Sequence, residues 1–505
     1  MSIKALIHFP GQLKRDALSF WNVFLSNKIT IQRFIKNSFW LTASLGMNGI
    51  VNLCLAIYLA RFFGPTNYGK FAYALSFVGL FATLFDFGLT MAVTRELAKN
   101  HGEEKNLPTL FFLKFLIGIL TVMIIIGLSF LVSKDFEIRK MIIAFGVYQL
   151  FFQALNLIYA VFRAKQRMEF EGFGRLLQAG ILVIFASLLI WRGASVLSIT
   201  YAYAVTTLLT FFVLILVMWR TARFSFFHYK IDLSVAKKFL VIGLYLALAQ
   251  GVGDVMTNTD SFLLGYWGML RGVGLYYAAV KINAVILFAM SIVTTAIFPM
   301  LVNALSQSQK AFMQYWNVWM KITLFFAMFA TFVMLAKAEG VIMLFYKNEY
   351  VQAATVLRIL MLTAIVIYIN NFYFQVLVIT NHQRLVFYST AFGCIVNVVI
   401  NILFIPHFGI VGSAVATVCS QGVNGLLYMI FIKNRTFLNP LNYAFVSMIV
   451  LTTGAGLLMW FSLSFIHLKL FLDILIGAFI YASTFFALRG ILKTFRFNED
   501  NYANY

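Results

Sequence analysis

Apolar runs separated by short polar breaks set the rhythm of this chain from residue 37 to residue 488. A helix rising about 1.5 Å per residue needs about 20 apolar residues to cross the hydrocarbon of a bilayer. Segments long enough fall at 37–60, 71–94, 109–132, 141–162, 175–191, 196–219, 239–266, 274–298, 317–336, 353–378, 386–405, 409–432, 441–465 and 470–488. Fourteen membrane-spanning helices are expected, 175–191 being the shortest. The longest connections follow the sixth and eighth segments and leave no room for a soluble domain. Ahead of the first span the pattern changes to an amphipathic one. Leu13, Ala17, Phe20, Trp21, Phe24 and Leu25 share one helical face, and Lys14, Arg15, Asp16, Ser19, Asn22 and Ser26 the other. That predicts a helix lying in the membrane interface. The first 36 residues lack the uninterrupted apolar core and the small-residue cleavage site of a signal peptide.

Composition agrees with the pattern. The chain is 62% hydrophobic and 11% charged, with mean hydropathy +0.88, against about 25% charged residues in soluble domains. The fold class is therefore an all-α polytopic membrane protein. A net charge of +22 would suggest nucleic acid in a soluble protein. Here most of the 39 Lys and Arg fall in the N-terminus, the C-terminus and the loops after even-numbered segments. The positive-inside rule then places both termini in the cytoplasm and requires an even number of spans. Charge is topology, and no nucleic-acid partner is expected. Cys54, Cys394 and Cys419 lie in apolar segments without ligand spacing, and the six histidines are scattered, so no metal and no cofactor is expected. No P-loop is present.

One stretch has an echo. Gly268–Ile282 reads G-M-L-R-G-V-G-L-Y-Y-A-A-V-K-I, and Gly64–Ala74 reads G-P-T-N-Y-G-K-F-A-Y-A. Each follows an apolar segment and leads into an aromatic- and alanine-rich helix, as in transporters built from repeats. The basic loop 220–238 separates the two copies. The expected organisation is an N-terminal segment 1–36, a six-helix bundle 37–219, a cytoplasmic linker 220–238, a second six-helix bundle 239–432, and two further helices with a tail, 433–505.

Four runs resemble one family. Y-L-A-R-F-F-G-P-T-N-Y-G-K-F from Tyr58 is similar to the first-loop signature of Wzx-type polysaccharide flippases, in the multidrug/oligosaccharidyl-lipid/polysaccharide (MOP) superfamily. D-F-G-L-T-M-A-V-T-R-E-L-A from Asp86 resembles the end of their second helix, and G-L-Y-Y-A-A-V-K-I from Gly274 the start of their eighth. N-V-V-I-N-I-L-F-I-P-H-F-G-I-V-G-S-A-V-A-T from Asn397 resembles the eleventh and twelfth with the tight turn between them. The resemblance implies two pseudo-symmetric six-helix bundles around a V-shaped central cavity, plus two C-terminal helices. It implies flipping of undecaprenyl-diphosphate-linked oligosaccharide to the outer leaflet of a bacterial cytoplasmic membrane, for O-antigen, lipopolysaccharide or other surface polysaccharide. Polymerase or export machinery would be the protein partners.

The chemistry must come from polar groups inside the membrane, where an ion is costly and functional by default. Lys281 lies about 10 Å below the outer end of the eighth segment. Asp254 has a similar depth, Asp260 is shallower, and Asp86 and Lys114 lie toward the cytoplasmic side. Two readings stand for Lys281: it pairs with Asp254, or it meets the diphosphate. Lys114 pairs with Asp86 or reaches the interface. Asn48, Asn52, Asn258, Asn283, Asn370, Asn371, Gln375 and Asn397 are candidate cavity amides, replacing water around sugar hydroxyls. Arg61, Arg271 and Arg358 lie near the outer rim, as receivers of the diphosphate or as interface anchors. The glycines and prolines of the family runs, Gly64, Pro65, Gly69, Pro406, Gly409 and Gly412, are turn and packing positions.

Two other functions compete. A drug or cation antiporter of the same superfamily would use Asp86, Asp254 or Asp260 for a coupling ion. A membrane glycosyltransferase or polymerase would place acids or arginines on a large outer loop. The longest outer loop, Lys337–Gln352, carries only Glu339 and Glu349 as acids, so an enzyme is not expected.

Overall fold

Runs of Leu, Ile, Phe and Val in lipid must bond their backbone internally, which leaves helices as the economical solution. The computed structural model describes residues 30–99, 105–222, 231–466 and 468–502, and among them there is no strand. The amphipathic segment before Thr30 and residues 223–230 of the 220–238 linker lie outside the described residues. In order, the helices are α1 (Thr30–Gly79), α2 (Ala82–Asp86), α3 (Leu89–Lys99), α4 (Leu107–Val132), α5 (Phe136–Ala164), α6 (Met168–Trp191) and α7 (Val196–Ala222). Then come α8 (Leu233–Tyr266), α9 (Leu270–Gln307), α10 (Gln309–Phe345), α11 (Ala353–Ile379), α12 (Gln383–Arg435), α13 (Tyr443–Phe465) and α14 (Leu470–Tyr502). Among the described residues, 12 helices are long and apolar enough to cross a membrane. Large side chains stand bare on their outer faces, Trp191 at 82% exposure and Leu131 at 78%, as lipid contact allows.

Starts follow from local chemistry. Asp135 caps α5 by accepting from the Glu137 N–H (2.8 Å), Ser308 caps α10 through Ala311 (3.0 Å), and Asn442 caps α13 through Phe445 (2.8 Å). Asp232 does the same ahead of α8. The Ser234 hydroxyl and N–H hold its carboxyl below the usual range.

Helix α12 contains two expected segments, and α1 contains one and the start of the next. The backbone leaves helical geometry at Gly64 in α1 (φ 70, ψ 171) and at Gly409 in α12 (φ 55, ψ −129). The expected second segment, 71–94, is not one helix. It comprises the end of α1, then α2, then α3, with Phe87 (φ 50) and Gly88 (φ 69) left-handed at the last break. Phe85, Asp86 and Leu89 around that break are buried, which is where a membrane protein tolerates non-helical backbone.

The chain forms two compact units. One holds the residues up to Ala56 and Val78–Asp254; the other holds Ile57–Phe77 and everything from Val255 on. The boundary crosses α1 and α8 rather than following the 220–238 loop. The first unit packs around Leu89, Val93, Leu155, Ile158, Phe162 and Leu214. The second packs around Leu301, Phe312, Trp316, Phe372, Tyr373 and Met459. In the second unit the two echoed glycine stretches touch each other. A Cβ on Gly69 would overlap the Leu270 carbonyl oxygen, and one on Gly274 would overlap that of Pro65. Each glycine meets the carbonyl four residues before the other, so the sequence echo is also a reciprocal contact.

Candidate functional site

The most elaborate polar cluster in the second unit centres on Asp260, on α8. Its side chain is buried in a hydrophobic helix bundle, and no cation pairs with it among the described residues. Neutral donors surround it instead. The Tyr276 hydroxyl donates to Oδ2 at 2.5 Å, the Thr417 hydroxyl at 2.8 Å, the Asn401 amide to Oδ1 at 2.7 Å and the Asn397 amide at 3.5 Å. Tyr276 comes from α9 and the other three from α12. Asn397 and Asn401 lie one turn apart, so α12 presents both amides on one face, and Asn401 also donates to the Asn397 carbonyl (2.9 Å). The Asn401 Oδ1 is buried without a hydrogen-bond partner. A carboxylate with amide and hydroxyl oxygens beside it is the donor set for a proton or a hard cation. No group of three or more His, Cys, Asp or Glu comes together among the described residues.

Lys281 stands on α9, half-buried, with its ammonium 4.7 Å from the centroid of the Tyr277 ring one turn earlier. That is cation–π range. Among the described residues it forms no ion pair. Asp254, in the first unit, accepts from the Thr83 hydroxyl on α2. Lys114 differs. It is 1% exposed and bonds Asp86, which also accepts from Thr90, so it does not reach the interface.

The other expected residues scatter. Asn48, half-buried, and Asn52, exposed, share a face of α1, with the Asn52 amide donating to the Asn48 carbonyl (2.8 Å). Asn283 is buried and its Oδ1 has no hydrogen-bond partner. Asn370 donates to the Gln421 carbonyl (3.0 Å) and Gln375 to that of Thr294 (2.8 Å). Arg61 donates to the Leu344 carbonyl (2.7 Å), and Arg358 to Glu339 (2.9 Å). Both act as ties between elements, while Arg271 is exposed.

A charged cluster in the first unit escaped the sequence reading. Glu171, fully buried on α6, receives Arg163 at 2.7 and 3.1 Å and Arg175 at 3.1 and 2.8 Å. Lys36 pairs with Glu169 (3.3 Å), and the Arg175 guanidinium lies 4.9 Å over the Tyr159 ring. The available signal was the spacing of Glu171 and Arg175, one helical turn apart.

Residues 34–305 match the model of a family described as polysaccharide biosynthesis protein. The chain is 22% identical over 478 residues to a probable low-salt glycan biosynthesis flippase, Agl15, of Haloferax volcanii, covering 92% of this chain and 96% of the relative. It is 21% identical over 441 residues to an uncharacterized membrane protein, MJ1068, of Methanocaldococcus jannaschii, covering 81% and 85%. Among solved structures, the lipid II flippase MurJ in an inward closed conformation superposes with a TM-score of 0.75 at 16% identity, covering 89% of this chain and 99% of that one. An inward-facing multidrug resistance MATE family transporter of the MOP superfamily gives 0.63 at 14% identity, covering 79% and 98%. The fold is that of these transporters.

Proposed function

From the premise that the chain belongs to the polysaccharide biosynthesis protein family, we propose that it is a flippase for a lipid-linked oligosaccharide, carried on undecaprenyl diphosphate. The observation that carries the proposal is Lys281. It is an intramembrane ammonium backed by a tyrosine ring and not neutralised by any carboxylate among the described residues. A diphosphate crossing a low-dielectric layer needs such a cation. The amides of Asn48 and Asn52, one helical turn apart on one face, suit the sugar hydroxyls. Asp260, ringed by neutral oxygen and amide groups, suits a coupling proton or sodium ion whose binding alternates with that of substrate. Both termini lie in the cytoplasm, and fourteen crossings are completed by turns at the two kinked helices. Alternating access would follow from two bundles built on repeats.

The test is surface polysaccharide in cells carrying variants at matched membrane abundance. Lys281→Met should fold and abolish export, because no buried carboxylate depends on the ammonium. Lys281→Arg should keep part of it, since the charge survives while the geometry changes. Normal polysaccharide from Lys281→Met would overturn the diphosphate role. A second reading, drug or cation antiport, is favoured by the MATE-like fold together with the buried Asp260. It predicts drug sensitivity on deletion of the chain with polysaccharide intact.

A further inference from the structure

Apart from the residues discussed above, the second unit contains a groove of about 350 Å³ between α10, α13 and α14. That is at the small end of ligand pockets, about 300–1,000 Å³. Its floor is apolar. Phe485, Met448 and Leu451 are buried beneath it, and the Phe325 and Phe485 rings meet edge to face at 4.9 Å. Its flanks are apolar too: Phe326 and Phe486 stand 51% and 61% exposed. On a membrane-spanning helix, such rings face acyl chains.

The mouth is different. Lys321 from α10 and Arg489 from α14 both line the groove, and none of its lining residues is acidic. Neither cation forms an ion pair among the described residues. The first turn of α13 opens at the same place, with Tyr443 and Ser447 on the lining. A helix start carries partial positive charge. Two cations and a helix N-terminus at one end repel one another unless an anion sits among them. The apolar trough running away from them fits a hydrocarbon chain attached to that anion. This is also the end that the Lys and Arg asymmetry assigns to the cytoplasm, where basic pockets between membrane helices take anionic head groups.

We propose that this groove binds an anionic phospholipid of the surrounding bilayer. Its phosphate sits between Lys321 and Arg489, and one acyl chain lies along Phe325, Phe326, Phe485 and Phe486. The occupant is a bilayer phospholipid, not the transported lipid, because the exposed rings open the groove to the bulk membrane, where phospholipid is in large excess.

The experiment is native mass spectrometry of the purified full chain with dioleoylphosphatidylglycerol or dioleoylphosphatidylcholine, alongside thermal melting with each lipid. The wild type should retain the glycerol lipid in preference to the choline lipid and melt higher in it. Lys321→Gln and Arg489→Gln should each cut that preference by about fivefold, and the double variant by about twenty-fivefold. Both positions are exposed, so the variants should melt like the wild type in the choline lipid. Lys321→Arg with Arg489→Lys should keep the preference. Equal retention of both lipids by the wild type, or an undiminished preference in the double variant, would overturn the proposal. So would displacement of phosphatidylglycerol by equimolar undecaprenyl diphosphate, which would assign the groove to the transported lipid.

Discussion

At Lys114 the issue is an ammonium with no water to solvate it. It is buried against Asp86 in the first unit, and the pair's mutual attraction offsets the loss of hydration only while both partners are present. Lys114→Met alone should destabilise the protein by about 3–5 kcal/mol through the stranded carboxylate. Lys114→Met with Asp86→Asn should recover most of that, because Thr90 can still hydrogen-bond the amide. Thermal melting of the purified variants checks it, and a double variant as unstable as the single would contradict the pairing. Depth along the membrane was legible from residue numbers, and it grouped Asp86 with Lys114. The same argument grouped Asp254 with Lys281, but depth fixes one coordinate and says nothing of rotation about the helix axis. Within the first unit the Thr83 hydroxyl donates to Asp254, a contact that depth alone did not suggest. The setting of Asp260 was illegible for another reason. Asn397, Asn401 and Thr417 lie some 140 residues away, and only tertiary packing brings them to it, although the one-turn spacing of the two asparagines hinted at a shared face.

Whole helices raise the question of what lets them pack, and what holds the last two in place. The reciprocal contact of Gly69 and Gly274 brings backbone against backbone, a neighbour that cannot swing aside as a side chain can. Gly69→Ala or Gly274→Ala should each cost about 1–3 kcal/mol or more through overpacking. Gly127→Ala, where a methyl would meet nothing within 4 Å, should be neutral or slightly stabilising. Equal melting temperatures for Gly69→Ala and Gly127→Ala would refute the close crossing. The added helices α13 and α14 have their own fastening. Lys337 on α10 bonds the Ile466 carbonyl (2.6 Å) and the buried Asp473 (2.7 Å), which also accepts from the Leu468 N–H (3.1 Å). Lys337→Met should leave Asp473 uncompensated and loosen the connection between α13 and α14. Proteolysis near residue 468 should then become several-fold faster, and an unchanged cleavage rate would show that the lysine does not hold that connection. The glycine echo drew attention to the two stretches as copies, but it gave no sign that they touch. The second was not visible either, because Lys337 and Asp473 lie on helices far apart in sequence and only the fold brings them together.

Over the whole molecule, span number turns on two glycines. Helix α12 runs 53 residues, about 80 Å at 1.5 Å per residue, more than twice the ~30 Å hydrocarbon thickness. Helix α1, at 50 residues, poses the same problem. A helix that long cannot cross once and stay buried in lipid, so the breaks at Gly409 and Gly64 should be places where the chain turns back. Periodicity showed where the apolar segments lie, and Pro406 and Gly409 marked the join between two of them. It could not show that helical hydrogen bonding would resume at once and merge the pair. The two arrangements differ in where loop residues emerge. With Cys54, Cys394 and Cys419 replaced by serine, single cysteines can be placed at Gln383, His407 and Asn434, all exposed. If the chain reverses at Gly409, a membrane-impermeant maleimide added to intact cells should label His407→Cys. Gln383→Cys and Asn434→Cys should react only after permeabilisation, since both ends of α12 would then lie in the cytoplasm with the tail. Were Gln383→Cys and Asn434→Cys labelled from opposite sides, α12 would cross once, and the even span count with both termini inside would fall with it.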